Sequence, residues 1–335
     1  GRADAILCRP GDRPLSKLHA DALPQVSVFV QVHYPDIWQD MSGIIAERMA
    51  TPFRLILTTS HHGEQLAIPD TPNLASHHVL YTANQGRDIL PFLRALAAEP
   101  EFDIGLKLHT KKSPQRGDGD RWRTDILNSL LPDQTGTRRI VRKLAEDPRV
   151  GFVAPDRFCL PVEPWILENG DAMRRAMEAI APTAPQAYMD GAYFAAGSMF
   201  WFRRNALAAL ASERLFNIFE PEMKQLDGTI AHGLERLFPV EARRQGFLTM
   251  PLSTLMAAGP QTPAEQVEAI TRLEVAKPNP LFPSPYESPA SASLSVDRAP
   301  AKRANIVARL GPIYMALPLP LRRLAKSMLK RFKTG

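Results

Sequence analysis

The sequence is poor in cysteine, with only Cys8 and Cys159 among its 335 residues. The two lie far apart and lack the short spacing of paired metal ligands, so the sequence supports neither a disulfide framework nor a zinc site. We therefore expect a protein of a reducing compartment, the cytoplasm.

Long apolar runs are also missing. No stretch reaches the roughly 18 apolar residues that a membrane-spanning helix needs, and no signal-peptide pattern opens the chain. The first residue is Gly1 rather than Met, so we expect the natural protein to have a segment upstream of this sequence.

Acidic residues are absent from the last part of the chain. Residues 298–335 hold ten of the 41 Lys and Arg and none of the 35 Asp and Glu, so the preceding 297 residues carry a net charge of −4 although the whole chain carries +6. A nucleic-acid-binding domain would need its basic surface on the folded body. The charge distribution therefore argues against nucleic acid as a partner.

The hydrophobic content of 44% is enough for a sizeable core, in one large domain or two smaller ones. In the first part of the chain, strand-like and helix-like segments alternate. We predict strands at 26–32, 53–59, 77–82 and 102–108, and helices at 36–49, with Asp36 as N-cap, and 89–98. This alternation predicts an α/β fold with a largely parallel, Rossmann-type sheet flanked by helices.

The second part of the chain is less regular, and its composition changes near its end. We predict helices at 122–131, 138–146, 173–180 and from 205 to 210, a strand at 150–154 and an apolar run at 193–202. Prolines cluster after residue 259 and indicate a linker. The predicted organisation is an N-terminal extension (1–24), one main domain (25–258), a Pro-rich linker (259–300) and a basic amphipathic tail (301–335).

A basic cluster, KLHTKKS at residues 107–113, directly follows a predicted strand. Parallel α/β sheets bind ligands at the carboxyl ends of their strands. His and Lys at such a place favour an anionic ligand such as a diphosphate, although a basic turn in solvent would have the same pattern.

The loop NQGRD at residues 84–88 also follows a predicted strand. Gly86 permits a close backbone approach, and Arg87 could hold a carboxylate or phosphate with two hydrogen bonds. The alternative is a plain turn in which Asp88 caps the helix that begins at Ile89; the two interpretations are compatible.

The segment DGTIAHGLERLF at residues 227–238 predicts a helix with Asp227 as its N-cap. Ile230, Leu234 and Leu237 share one face, and the opposite face carries His232, Glu235 and Arg236. The polar face is either solvated or functional. Gly228 and Gly233 are poor helix formers and indicate close approach by a ligand or by backbone.

These motifs, taken with Trp122-Arg123 and GSMFW at 197–201, resemble in order and spacing the rhamnan synthesis F family over roughly residues 25–250. That family consists of glycosyltransferase-like proteins of bacterial surface polysaccharide assembly. The resemblance implies a GT-A-like domain that transfers a sugar, rhamnose or another deoxyhexose, from a dTDP- or other NDP-sugar to a growing glycan such as O-antigen or rhamnan.

The resemblance also implies roles for the motif residues. The donor nucleotide and its diphosphate would contact Asn84, Gly86, Arg87, Asp88, His109, Thr110, Lys111, Lys112 and Arg236. Asp227 or Glu235 would be the base, with His232 orienting the acceptor or assisting the leaving diphosphate. The sugar or acceptor would contact His33, Tyr34, Trp122, Arg123, Gly197, Ser198 and Trp201, although we expect the aromatic residues of 197–201 to be mainly structural.

Asp118-Gly119-Asp120 has the D-x-D pattern with which sugar-nucleotide transferases hold Mg²⁺ or Mn²⁺. No predicted strand positions it, and His109 to Lys112 occupy the strand end where that motif is expected. The metal ligands therefore stay open among Asp118, Asp120 and His232, with cationic side chains as the substitute for a metal.

The basic tail can form a helix with Leu321, Leu324, Met328 and Phe332 on one face, which predicts contact with an anionic membrane surface or docking onto the domain or a partner. We expect a cytoplasmic protein at the inner face of the plasma membrane, with a lipid-linked acceptor and other assembly proteins as partners. The alternative function is a non-catalytic glycan-binding or scaffolding module.

Overall fold

A computed structural model describes residues 23–110, 119–181, 189, 191–223 and 227–257. All of these residues belong to one compact unit. The predicted Pro-rich linker and basic tail, and nearly all of the predicted N-terminal extension, lie outside the described residues, as do Lys111, Lys112 and Asp118.

The first part of the chain forms the alternating strands and helices that its apolar pattern predicts. Its elements are β1 (Val26–Val32), α1 (Pro35–Arg48), β2 (Phe53–Thr59), β3 (Leu74–Tyr81), α2 (Ile89–Ala98) and β4 (Ile104–His109). Strands β1, β2 and β4 are almost completely buried, which explains their predominantly apolar sequences.

The second part contains more helices and shorter strands. Its elements are α3 (Gly119–Leu130), α4 (Gln134–Glu146), β5 (Val150–Ala154), β6 (Cys159–Pro161), α5 (Gly170–Ile180), β7 (Tyr193–Ala195), β8 (Phe200–Arg203), α6 (Glu213–Phe216), α7 (Ile230–Arg244), β9 (Leu248–Pro251) and α8 (Leu252–Ala257).

Seven of the strands form one sheet in the order β3-β2-β1-β4-β8-β5-β9, while β6 and β7 pair separately. Neighbours from β3 to β4 are parallel, as are β5 and β9, whereas β8 is antiparallel to both β4 and β5. The predicted fold class, a mostly parallel Rossmann-type sheet flanked by helices, is confirmed.

The core around the middle of the sheet is a cluster of phenylalanine rings. Phe92 of α2 packs edge-on against Phe29 of β1 and against Phe200 and Phe202 of β8, and Phe238 of α7 contacts Phe92 and Phe200. The cluster therefore fixes α2 and α7 against the strands that lead to the candidate site.

Several predicted boundaries were wrong, including those of three segments whose structure also differs in kind or in its first residue. Helix α1 begins after Tyr34, with Pro35 rather than Asp36 at its start, since proline's fixed φ and missing N–H suit a first helical position. The apolar run 193–202 is not one element, because a turn separates β7 from β8. Residues 204–210 form two 3₁₀ turns instead of the start of an α-helix.

None of the helices within the described ranges is long and apolar enough to cross a membrane.

Two glycines on different helices allow a matched test of packing. A Cβ at Gly233 of α7 would lie 2.9 Å from the backbone nitrogen of Met173, whereas a Cβ at Gly43 of α1 would meet nothing within 4 Å. We predict that Gly233→Ala destabilises the fold by about 1–3 kcal/mol because α5 and α7 must separate. Gly43→Ala should instead stabilise it by roughly 0.5–1 kcal/mol. Urea unfolding of both variants measures the difference, and equal shifts would contradict the close helix packing.

Candidate functional site

Four segments that are distant in sequence meet at one edge of the sheet. The loop 84–88 follows β3, and His109 and Thr110 end β4. The turn 196–199 precedes β8, and because β8 runs antiparallel to β4, this turn lies at the same edge. The fourth segment is the first part of α7, whose Glu235 contacts the turn.

A buried ion pair joins two of these segments. The Lys107 ammonium donates to Asp88 Oδ2 at 2.6 Å, and the Lys107 side chain is only 1% exposed. The predicted cap is therefore wrong: Asp88 occupies the N-cap position of α2 but makes no capping hydrogen bond. An unpaired buried charge costs far more free energy than an uncapped helix end. Asp88 therefore pairs with Lys107 instead of capping α2.

Both turns at this edge contain two successive residues in the left-handed region. Gly86 and Arg87 have φ values of 67° and 57°, and Gly197 and Ser198 have values of 96° and 54°. Arg87 and Ser198 are not glycines, so their conformation is strained, and such strain clusters at functional sites.

Close packing explains both glycines in addition to their positive φ. A Cβ on Gly86 would come within 2.6 Å of the Phe219 ring, and a Cβ on Gly197 would come within 2.9 Å of Ile126. Trp122 lies on the same side of Gly197, with its indole nitrogen 3.4 Å from that Cβ position.

The two residues at the end of β4 hold neighbouring loops. His109 Nε2 lies 2.8 Å from the Gly197 carbonyl oxygen, to which it donates, and 3.9 Å from Asp88 Oδ2. The Thr110 hydroxyl accepts hydrogen bonds from the backbone N–H groups of His33 and Tyr34 at 2.9 and 3.0 Å. Both side chains are buried, so they position the loops of the site rather than line its exposed surface.

Glu235 and Arg236 of α7 are held by polar contacts of their own. Glu235 Oε1 accepts from the Gly197 backbone N–H at 2.8 Å, and Oε2 lies 3.3 Å from the Arg236 guanidinium. Arg236 also donates to the carbonyl oxygens of Trp165 and His232. Arg236 and His232 are buried, so the interpretation of this helix face as solvated is wrong for both.

The N-cap of α7 is Thr229, not Asp227 as predicted. Thr229 and His232 form a reciprocal capping box, in which each side chain bonds to the other's backbone N–H. Glu220 adds a further acceptor for the helix start, since its Oε2 accepts from the Ile230 N–H at 3.0 Å. Asp227 lies outside the helix and its capping hydrogen bonds.

The capping box fixes the tautomer of His232. Its Nδ1 accepts from the Thr229 N–H and lies 2.8 Å from the Thr229 hydroxyl, so neutral His232 carries its proton on Nε2. Burial, then the positive charge of Arg87, lowers the pKa of His232 below its ordinary value of 6.5, against the opposing effects of Asp227 and Glu235. His232 is therefore a neutral hydrogen-bond donor at neutral pH.

The predicted sugar-contacting residues fall into different environments. His33 and Tyr34 lie after β1 with their rings in edge contact, and burial together with nearby His61 lowers the pKa of His33. Trp201 is 0% exposed and donates its indole N–H to the Leu130 carbonyl oxygen. The prediction that Trp201 offers a face to a sugar is therefore wrong, because its indole is enclosed in the core.

The described residues do not form the predicted metal site. Among them, no group of three or more His, Cys, Asp or Glu side chains could hold a metal ion. The Asp120 side chain is 86% exposed and pairs with Arg123 at 3.0 Å, and Asp88, whose carboxylate lies 3.9 Å from His109 at the end of β4, is paired with Lys107. The described donor set therefore does not fit Mg²⁺ or Mn²⁺.

Three residues that shape the site were given no role of their own from the sequence. Lys107, Thr229 and Glu220 each supply a contact that orders the edge. A signal existed for Lys107, because a lysine within an otherwise apolar strand needs an anionic partner. A signal existed for Thr229 too, because a Thr three residues before a polar side chain has the spacing of a capping box, whereas the contact of Glu220 with Ile230 has no such local pattern.

Comparison with known proteins identifies the family. The family model described as rhamnan synthesis protein F matches residues 13–246, well over half of the chain. The chain belongs to the rhamnan synthesis protein F family. The match spans every motif that forms the site, from the loop after β1 to α7.

This family member has curated relatives in two strains of Xanthomonas campestris pv. campestris, B100 and ATCC 33913. Both are named uncharacterized protein WxcX, and each is 33% identical over 263 residues, which cover 76% of this chain and 35% of the relative. The chain thus spans about a third of the length of these relatives.

Among solved structures, the chain is similar to the mannosyltransferase PcManGT from Pyrobaculum calidifontis, determined in complex with GDP-Man and Mn²⁺. The two share 14% identity with a TM-score of 0.37, over 91% of this chain and 86% of the mannosyltransferase.

The assignment of the α7 cap gives a direct stability test. Thr229→Ala removes the capping hydroxyl and should lower the free energy of unfolding by about 1 kcal/mol. Asp227→Ala, two residues away, should change it by less than about 0.5 kcal/mol. Urea unfolding of the two variants decides between them, and the reverse order would restore Asp227 as the cap.

The lowered pKa of two histidines predicts how stability depends on pH. Because His232 and His33 both have pKa values below 6.5, the unfolded chain binds more protons than the folded one as the pH falls through this range. The contribution of these two histidines to the stability of the fold is therefore present above about pH 6.5 and decreases below it. The melting temperature of His232→Gln should fall less between pH 7.5 and 5.5 than that of the wild type. An identical slope would contradict a lowered pKa of His232.

Proposed function

We propose that this domain is a nucleotide-sugar-dependent glycosyltransferase with a GT-A-like fold, acting in the synthesis of a bacterial surface polysaccharide such as O-antigen or rhamnan. The donor is a dTDP- or other NDP-sugar, and the transferred sugar is rhamnose or another deoxyhexose. Family membership supports polysaccharide synthesis, and the convergence of charged and strained residues at the carboxyl edge of the sheet supports a ligand site there.

The observation that carries the proposal is the meeting of Arg87, the turn 197–198 and the polar start of α7. Arg87 and His232 are close enough for the arginine charge to lower the histidine pKa, and Glu235 links α7 to Gly197. A pyrophosphate needs positively charged and N–H donors from several directions, and this edge contains both.

We propose different roles for the two candidate carboxylates, Asp227 and Glu235. Glu235 already accepts from Gly197 and pairs with Arg236, which suits a positioning role better than that of a base. We therefore propose Asp227, whose carboxylate is close enough to raise the pKa of His232, as the base that deprotonates the acceptor hydroxyl. His232 would donate its Nε2 proton in a hydrogen bond to the leaving diphosphate.

The donor nucleotide would contact Asn84, Gly86, Arg87 and Asp88, as predicted from the sequence. The loop at residues 33–34, which Thr110 holds next to the end of β4, would take part in binding the sugar or acceptor. Trp122, near Gly197, and its sequence neighbour Arg123 belong to the same proposed region.

The described donor set does not fit a divalent cation. Lys111 and Lys112 follow Thr110 directly in the sequence and would supply positive charge to the diphosphate. We propose a lipid-linked glycan as the acceptor and an anionic membrane surface as the partner of the basic tail.

A screen of nucleotide-sugars tests the proposal. Thermal unfolding with dTDP-, UDP- and GDP-sugars, with and without EDTA, should reveal one donor that raises the melting temperature, since a ligand that binds only the folded state stabilises it. Transfer of that sugar to a glycan acceptor would then establish the activity. Stabilisation by a glycan alone, with none by any nucleotide-sugar, would favour the non-catalytic glycan-binding module.

Two carboxamide variants separate the proposed base from the positioning carboxylate. Asp227→Asn should keep the melting temperature within a degree or two and reduce turnover by about 10²-fold or more, because the base is lost without loss of a cap. Glu235→Gln, the matched control, should lower the melting temperature because it removes the negative charge beside Arg236. Near wild-type turnover of Asp227→Asn would exclude Asp227 as the base.

A further inference from the structure

Lys107 is a charged residue in the interior of a buried strand. All six residues of β4 are buried, and the Lys107 side chain is 1% exposed. Apolar residues fill such positions in most sheets, and a buried ion pair seldom stabilises a fold more than well-packed apolar side chains would. The ammonium group at this position therefore needs an explanation other than core stability.

The three hydrogen-bond donors of the ammonium group match three oxygen atoms from two segments. Nζ lies 2.6 Å from Asp88 Oδ2, 2.7 Å from the Ser198 carbonyl oxygen and 2.9 Å from the Ser198 hydroxyl oxygen. The rings of Phe92 and Phe200 flank it at 5.3 and 5.7 Å. These rings exclude water, which strengthens the ammonium group's attraction to all three oxygens.

Each of these oxygens belongs to a strained residue or to its neighbour. Ser198 has a φ of 54°, and Asp88 directly follows Arg87, whose φ is 57°. Non-glycine residues keep such a conformation only where their surroundings enforce it. Lys107 donates hydrogen bonds to the carbonyl and hydroxyl oxygens of Ser198, and a third to Asp88, the residue that follows Arg87.

We propose that Lys107 is a positioning residue, whose buried ammonium group holds the two left-handed turns 86–87 and 197–198 in the conformation that receives the donor. It acts through Arg87 and the 197–198 turn and does not itself contact substrate. The binding readout below depends on the proposed function, whereas the backbone readout does not.

The test combines Lys107→Met, which keeps the length of the side chain but removes its charge, with two substitutions of Ser198. Ser198→Gly and Ser198→Ala both remove the hydroxyl, but only glycine adopts a positive φ without strain. Hydrogen exchange of the amides at 84–90 and 195–200, the melting temperature and the affinity for dTDP, UDP and GDP are measured for each variant.

Lys107→Met should accelerate exchange in both segments and weaken binding of the preferred nucleotide about tenfold or more, as expected for loss of charge-assisted bonds. The Lys107→Met/Ser198→Gly variant should recover part of that affinity and of the slow exchange at 195–200, whereas Lys107→Met/Ser198→Ala should recover neither. Equal behaviour of the two double variants would overturn the proposal, because a merely structural lysine would not depend on the φ freedom of residue 198.

Two further outcomes are also decisive. If Lys107→Met does not fold, the single Ser198 variants take its place. Exchange at 195–200 should then be faster in Ser198→Ala than in Ser198→Gly, and the reverse order would contradict the proposed positioning of the 197–198 turn by Lys107. If no nucleotide binds the wild type, the proposed function fails, while the exchange measurements still decide whether Lys107 holds the turns.

Discussion

The site depends on the reversed direction of one strand. Strand β8 runs antiparallel to β4 with Lys107 opposite Phe200, so the residues that precede β8 lie at the carboxyl ends of the parallel strands. A parallel β8 would carry Gly197 and Ser198 to the opposite edge, away from Asp88 and His109. The reversal therefore allows a single short turn to receive hydrogen bonds from β4 and to donate one to Glu235 of α7.

Local sequence patterns were sufficient for the elements of the first part of the fold, because each buried strand is predominantly apolar and each turn carries Gly, Pro or Asn. They were insufficient for residues 193–202, where the turn is flanked by apolar residues on both sides. That turn is held by Lys107, 91 residues away, and by Glu235, 38 residues away. A single-sequence pattern contains no record of such distant contacts.

The three predicted aspartate caps are a second case in which local sequence patterns were insufficient. Asp36, Asp88 and Asp227 each stand where an N-cap is expected, yet none of the three caps its helix in the structure. In the case of Asp88, a buried ammonium group competes for the carboxylate and has the larger penalty if it stays unpaired. For α7, the reciprocal bonds of Thr229 and His232 replace a simple cap. The motif residues could be found from sequence, whereas their partners required the fold.

Charge balance then constrains how the candidate site would bind the proposed diphosphate. Among the described residues at this edge, Arg87, Lys107 and Arg236 are cationic, and Asp88, Glu220, Asp227 and Glu235 are anionic. Lys107 is paired with Asp88, and Arg236 lies beside Glu235, so these pairs order the site while adding little net positive charge. A diphosphate brings about two negative charges into surroundings of low dielectric constant, where uncompensated charge is costly. In the proposed function the additional positive charge comes from beyond these pairs, and Lys111 and Lys112 stand in the sequence one residue after the strand that ends at this edge.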